Sequence, residues 1–155
     1  MAMILLFFVA KTQTISGDTA KDPLIWFEIP VPDFERTRKF YSKIYDYEMP
    51  SMEMDADQLG YFQVQPKHVG GAIHYSVGLK PSKSGSLTYL NGGEDLNVVC
   101  GRAEQAGGKA LQGKPQTAPE HGYFALFPDT EGNRVALHSC QTKKEPVRSF
   151  SFNLS

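Results

Sequence analysis

Along this chain the spacing of apolar positions switches between a period of two and a period near 3.6, and does so twice. Residues 24–31 alternate, so that Trp26, Glu28 and Pro30 fall on one face of a strand and Phe27, Ile29 and Val31 on the other. Pro32-Asp33 marks a helix entry, with Asp33 a good N-cap. Phe34, Thr37, Phe40, Tyr41, Ile44 and Tyr45 then recur at helical spacing, opposite a wet face of Glu35, Arg36, Arg38, Lys39 and Lys43. The helix is expected to end near Asp46. Three strands are predicted after it, over about 47–54, 58–65 and 71–77, with a turn at Asp55-Ala56-Asp57 and a loop from Pro66 into Gly70-Gly71.

Residues 80–86, KPSKSGS, form an internal linker, and the pattern restarts beyond it. A strand over 87–91, a break at Gly92-Gly93 and a helix over 94–106 are expected, with Leu96, Val99, Cys100 and Ala103 turned to the core and Gly107-Gly108 as the stop. A strand over 109–112 and a loop over 113–121 lead to a hairpin of 123–127 and 134–138. Its turn is Pro128-Asp129-Thr130-Glu131-Gly132-Asn133, in which proline presets φ and Asp and Asn bond their own backbone. The chain thus holds two copies of a strand–helix–strand–strand–strand unit, 24–80 and 87–140, whose last strands read alike as Ala72-Ile73-His74 and Ala136-Leu137-His138. The class is α+β, with paired curved sheets forming a cup lined by alternate residues. Residues 1–23 are an extension and 141–155 a polar tail with Phe150 and Phe152.

A length of 155 residues suits one domain, or two small modules sharing a core, and 41% hydrophobic residues can fill one. Sixteen basic and 17 acidic residues leave a net charge of -1, no electrostatic footprint for nucleic acid or an anionic membrane. Cys100 and Cys140 lack the spacing of a zinc knuckle or disulfide scaffold, so a cytoplasmic setting is the default. The apolar run MAMILLFFVA at residues 1–10 is too short to span a bilayer, and no basic residue precedes it. A loosely packed extension or an added strand is preferred to an export signal. No GxSxG, Walker-type or HExxH pattern occurs, which leaves serine hydrolase, P-loop and zinc-protease functions without support.

Four segments in order carry a more specific signal: residues 26–33 (WFEIPVPD), 38–41 (RKFY), 106–109 (AGGK) and the hairpin at 120–139. Together they resemble the glyoxalase, bleomycin-resistance and extradiol-dioxygenase superfamily, the vicinal oxygen chelate proteins. The resemblance spans about 24–140 and implies two paired βαβββ modules and a homodimer. Metal-dependent members place ligands on the first and last strand of each unit. Matched position by position, these fall near Trp26, near Ala72 or His74, near Thr88 and on Ala136. Trp and Ala cannot bind a metal, and Thr rarely does. The resemblance therefore implies a small-molecule-binding member similar to the antibiotic-sequestering proteins, with no cofactor expected and a divalent metal as the alternative.

Period-two geometry also puts Glu28, His74 and His138 on the cup face. They are candidates for the acid–base set, or a displaced metal site, of a lyase or isomerase. The competing reading is a solvated Glu28 and strand-end histidines near water. Trp26, Tyr89 and Tyr123 are candidate stacking surfaces for a ligand, against the alternative of core packing. Arg134 shares the face of Ala136 and His138, placed to meet an anionic ligand or a surface carboxylate. His68 and His121 flank loops at the cup mouth, as closing groups or as solvated side chains. All these assignments depend on register, because a slip of one residue reverses every face.

Overall fold

Each half of the chain folds as a strand, a helix and three strands, in a computed structural model that describes residues 24–66, 68–108, 116–118 and 122–140, the strand at 116–118 by its backbone alone. The first half comprises β1 (Trp26–Pro30), α1 (Phe34–Tyr45), β2 (Ser51–Met54), β3 (Asp57–Tyr61) and β4 (Gly70–Tyr75). The second comprises β5 (Thr88–Asn91), α2 (Leu96–Gln105), β6 (Gln116–Ala118), β7 (Gly122–Pro128) and β8 (Arg134–Ser139). Two four-stranded sheets result, ordered β1-β4-β3-β2 and β5-β8-β7-β6, with β1 parallel to β4 and β5 parallel to β8. This is the α+β, twice-repeated βαβββ arrangement the sequence predicts. Among the described residues no helix is long and apolar enough to cross a membrane.

Local chemistry sets the helix ends. Asp33 accepts a hydrogen bond from the Arg36 amide at 3.0 Å, and Asp46 closes α1 in the left-handed region at φ 59. Asp95 caps α2 by accepting from the Asn97 amide, and Gly107 at φ +93 lets the Gly108 amide return to the Ala103 carbonyl at 2.8 Å. The apolar stripes face inward as expected. Phe34, Thr37, Phe40, Tyr41 and Ile44 of α1 are buried, as are Leu96, Val99, Cys100 and Ala103 of α2. Both stripes enter one cluster with Ile29, Ile73, Val135 and Leu137, so the two halves share a single core. Burial pushes the Cys100 thiol up to about 12, with Glu104 and Asp95 adding to the effect, which keeps it a neutral packing group.

Several strand bounds differ from expectation. β2 begins at Ser51, four residues later than expected, after the fully buried Met49, and the Pro50 carbonyl just before it accepts from the Tyr61 amide. β3 stops at Tyr61 and β4 at Tyr75, four and two residues early. The second strand of the second unit is Gln116–Ala118, paired with β7, inside the segment expected to be a loop; residues 109–112 lie outside the described residues.

A polar network ties the second half to the first. Asp129 Oδ1 accepts from the amides of Glu131 and Asn133, both at 2.9 Å, while Oδ2 accepts from Asn133 Nδ2 at 2.9 Å and Tyr41 Oη at 3.3 Å. Asn133 Nδ2 also donates to the Pro30 carbonyl at 2.8 Å, and its Oδ1 accepts from the Ser82 amide at 3.1 Å. Beside it Glu131 accepts from Arg36 through two hydrogen bonds of 2.8 Å and from the Asp33 amide. The turn is thus a clasp on the end of β1 and the start of α1.

The two carboxylates of the clasp respond to acid in opposite senses. Burial pushes Glu131 up, but the two hydrogen bonds from the Arg36 guanidinium and its positive charge outweigh it, leaving its value below the ordinary 4.5. Its stabilising contribution is present above that value and is lost as pH falls through the lowered folded one. Burial holds Asp129 above its ordinary 3.8 despite its hydrogen bonds, so folding takes up a proton there and stability falls as pH rises through that window. Glu131→Gln is expected to make the acid side of the stability curve shallower. Urea midpoints measured from pH 7 down to about 3 check this, and an unchanged acid slope would refute it.

Candidate functional site

Among the described residues the inner edge strands of the two sheets do not pair with each other: β1 borders only β4, and β5 borders only β8. Between them lies a cleft of about 700 Å³, within the size range of small-molecule sites. Five rings line it, those of Phe27, Tyr45, Tyr47, Phe62 and Tyr89, and Glu28 contributes a carboxylate. Phe62 is the hub, with ring centroids 5.5 Å from Phe27, 6.0 Å from Tyr45 and 5.2 Å from the buried Tyr41. Tyr45 and Tyr47 stack at 6.1 Å, and the Tyr47 hydroxyl accepts from the Gln63 amide at 3.2 Å. Burial raises both phenols, Tyr45 most, so both remain neutral hydroxyls at neutral pH. Tyr89 stands at the other wall, 53% exposed, with its ring edge-on to Phe124.

The paired glycines of β4 explain how two large rings lie close to the backbone. Gly70 is opposite Trp26 and Gly71 opposite Phe27 in the parallel register. A Cβ on Gly70 would lie 2.8 Å from the Trp26 ring, and one on Gly71 would run into the Phe27 ring. Here glycine serves close approach rather than a phosphate, in keeping with the missing GxGxxG spacing.

On the face of the first sheet away from the helices, register aligns Glu28 with Ala72, Pro30 with His74 and Leu59 with His74. Trp26 Nε1 donates to Glu28 Oε1 at 3.1 Å, and Glu28 Oε2 lies 2.7 Å from His74 Nδ1. The other imidazole nitrogen, Nε2, is 3.7 Å from Asp57 Oδ2. Glu28 is therefore within hydrogen-bond distance of one imidazole nitrogen, while the other, buried and without a hydrogen-bond partner among the described residues, faces Asp57.

The structure brings together part of the sequence-predicted set. Glu28 and His74 meet, and Glu28 and Tyr89 both line the cleft. His138 does not join them. It sits on the second sheet opposite Asn91, with Nδ1 3.8 Å from Cys140 Sγ and its ring beside Tyr89. Trp26, 42% exposed, packs against Tyr61 on the face it shares with Glu28 and is absent from the cleft lining. Tyr123 is turned the other way: on β7 it is Phe124 that shares the face of His138, and Tyr123 packs on the core. Arg134 borders a smaller groove of about 160 Å³ that Glu28 also touches. His68 is exposed and does not line the cleft, and His121 lies outside the described residues. The fourth family ligand position also shifts, because Thr88 pairs with the core residue Val135 while Tyr89 pairs with Ala136. The sequence places Phe27 on the strand face opposite Glu28 and Tyr45 on the apolar stripe of α1, and it predicts no role for Tyr47 or Phe62. The available signal is two tyrosines flanking Asp46, the left-handed residue that closes α1, and their rings stack on each other.

The divalent metal of this fold's metal-dependent members does not fit these residues. Ala72 and Ala136 have no donor atom, Glu28 and His74 are spent on each other, and His138 stands apart. Among the described residues no group of three or more His, Cys, Asp or Glu side chains could hold an ion.

No family model matches the chain. A glyoxylase-like domain-containing protein of Didymella fabae is 30% identical over 115 residues, covering 71% of this chain and 88% of that protein. The chain belongs to the glyoxalase-like domain proteins. Solved structures share the fold: a point mutant of glyoxalase I from Zea mays has a TM-score of 0.59 at 22% identity, covering 76% of this chain and 46% of that one. TnmS3, an antibiotic-binding protein from Streptomyces, has a TM-score of 0.53 at 22% identity, covering 79% of this chain and 99% of its own. A glyoxalase/bleomycin resistance protein from Albidiferax ferrireducens has a TM-score of 0.54 at 14% identity, covering 74% and 95%. The chain spans less than half of the maize enzyme's length.

Proposed function

We propose that this chain binds a small, ring-bearing organic molecule in the cleft between β1 and β5, without a resident metal. The observation that carries this reading is a cleft of about 700 Å³ walled by five aromatic rings, with Glu28 the single acidic residue among the described residues that line it. Rings offer stacking surface, and the Glu28 carboxylate favours an uncharged or cationic ligand over an anionic one. Trp26, the single tryptophan, donates to Glu28 and so reports on the cleft through its emission. Titration with a panel of neutral and cationic ring compounds is expected to give saturable changes in that emission. Tyr89→Ala removes an exposed wall ring without opening the core and is expected to weaken binding about tenfold. An affinity unchanged by Tyr89→Ala, or no saturable binding across the panel, would count against this function.

A lyase or isomerase is the second reading, favoured by the 2.7 Å contact between Glu28 and His74. Glu28 touches the cleft and would take a proton from a carbon beside a carbonyl and return it, with His74 Nδ1 steadying the charge. Glu28→Gln is expected to abolish such turnover at least about a hundredfold while retaining ring-compound binding. Turnover that survives the substitution would remove Glu28 from the chemistry.

A further inference from the structure

The smaller groove beside the cleft is lined by two opposite charges that do not touch. It measures about 160 Å³ and has both Glu28 and Arg134 in its walls, room for about five water molecules at about 30 Å³ each. Glu28, Ser86 and Thr88 line the aromatic cleft as well, so the two openings are continuous. Val135 is turned into the core, and Arg134 therefore points the other way, exposed on the face of Ala136 and His138. Among the described residues its guanidinium has neither an ion pair nor a hydrogen bond, whereas Arg36, Arg38 and Arg102 each pair with a carboxylate. Its backbone is nonetheless fixed. The Arg134 amide donates to the Ser82 carbonyl at 3.2 Å. The adjoining Asn133 side chain donates at 2.8 Å to the carbonyl of Pro30, two residues along β1 from Glu28. The clasp thus ties together the two strands that carry the charges.

We infer that this groove is the headgroup subsite of the aromatic cleft and that the ligand is a zwitterion, with its ring in the cleft, an ammonium facing Glu28 and a carboxylate on Arg134. The inference rests on the ring-binding reading of the cleft. A purely anionic ligand meets the Glu28 charge between the rings and the guanidinium, and a purely cationic one leaves Arg134 without a partner. A ring compound with both charges on one short arm satisfies both, and an aromatic α-amino acid is the smallest of that class. Arg134 sets the preference, because a guanidinium presents parallel N–H donors that match a carboxylate. Glu28 keeps acceptor capacity for the ammonium, since each carboxylate oxygen offers two lone-pair sites and Trp26 and His74 engage one oxygen each.

The test is calorimetric titration of the full chain with four compounds that share one ring and differ in the headgroup. They are L-phenylalanine (zwitterion), phenethylamine (cation), hydrocinnamate (anion) and hydrocinnamamide (neutral). L-phenylalanine is expected to bind at least about tenfold tighter than phenethylamine or hydrocinnamate. Arg134→Gln, a change at an exposed side chain, is expected to bring the ratio of L-phenylalanine to phenethylamine affinity close to one, and Arg134→Lys to keep part of it. Wild-type protein that binds L-phenylalanine no tighter than phenethylamine overturns the inference. A preference that persists in Arg134→Gln overturns it too, because the carboxylate then sits elsewhere. If none of the four binds while the neutral and cationic ring panel does, the headgroup subsite falls and the ring-binding cleft stands. Failure of both sets of compounds sinks the two readings together.

Discussion

Asp129→Ala is expected to lower unfolding stability by about 3–5 kcal/mol, since each buried donor left without a partner costs about 1–3 kcal/mol. The carboxylate is buried and accepts from two backbone amides, the Asn133 side chain and the Tyr41 hydroxyl. Alanine orphans at least three N–H groups in a turn that has no room to turn them all to water. The damage spreads, because Asn133 held by Asp129 is also the donor to Pro30 and the acceptor for Ser82. Asp129→Asn keeps the shape and one acceptor oxygen but sets an NH₂ against the donors at Oδ2, so about 1–3 kcal/mol is expected. Tyr41→Phe removes a single 3.3 Å hydrogen bond and is expected to cost about 1 kcal/mol. Urea unfolding of the three variants checks the order Ala, Asn, Phe. A loss below about 1 kcal/mol for Asp129→Ala would show that the clasp contributes little.

Gly122→Ala is the second large effect, again about 3–5 kcal/mol. Gly122 opens β7 at φ +94, where an L side chain is strained, and a Cβ there would collide with the Ser139 carbonyl oxygen and crowd the Cys140 backbone. The obstacle is main chain paired in the sheet, so no flexible side chain can yield, and β8 must move. Gly78 is an internal control, because it has φ +98 but nothing within 4 Å of a built Cβ. Gly78→Ala is expected to cost only the strain, about 1–2 kcal/mol. Equal losses at the two positions would show that strain alone, and not collision with β8, governs Gly122.

The repeated unit was legible because its signals are local. Proline–aspartate before α1, glycine after α2 and the spacing of Phe34, Thr37, Phe40, Tyr41 and Ile44 each act within one or two turns of chain, and all hold. The hairpin turn was legible for the same reason. The pairing of Glu28 with His74 followed from face parity, which is fixed once β1 and β4 lie in parallel. His138 obeyed the same parity on its own sheet, but parity says nothing of the distance between sheets, and the two histidines belong to different ones. Tyr123 failed on parity itself: β7 runs antiparallel to β8, and it is Phe124 that comes opposite His138. An aromatic-lined cleft with Tyr89 in it was expected, but its other rings were not assigned to it. Those come from β1, the end of α1 and the segment after β3, and apolar periodicity cannot separate a ring that fills a core from one that floors an opening. The Asp129 clasp was half visible. Its bonds to its own turn follow from residue type, whereas its reach to Pro30 and Tyr41 is a matter of tertiary packing.

That reach bears on how the chain comes to be folded during synthesis. Asn133 meets Pro30 across 103 positions, and Glu131 meets Arg36 across 95. Emerging from a ribosome, the first strand and helix must wait for the closing hairpin before the end of β1 is fastened, several seconds at ordinary elongation speeds of about 5–20 residues per second. During that interval the N-terminal half has a shared core with only one of its two contributors. The fastening is therefore late and non-local, the kind of contact whose loop-closure cost slows folding. An early half left waiting with Trp26, Met52 and Met54 on an exposed strand face is the species a chaperone would meet.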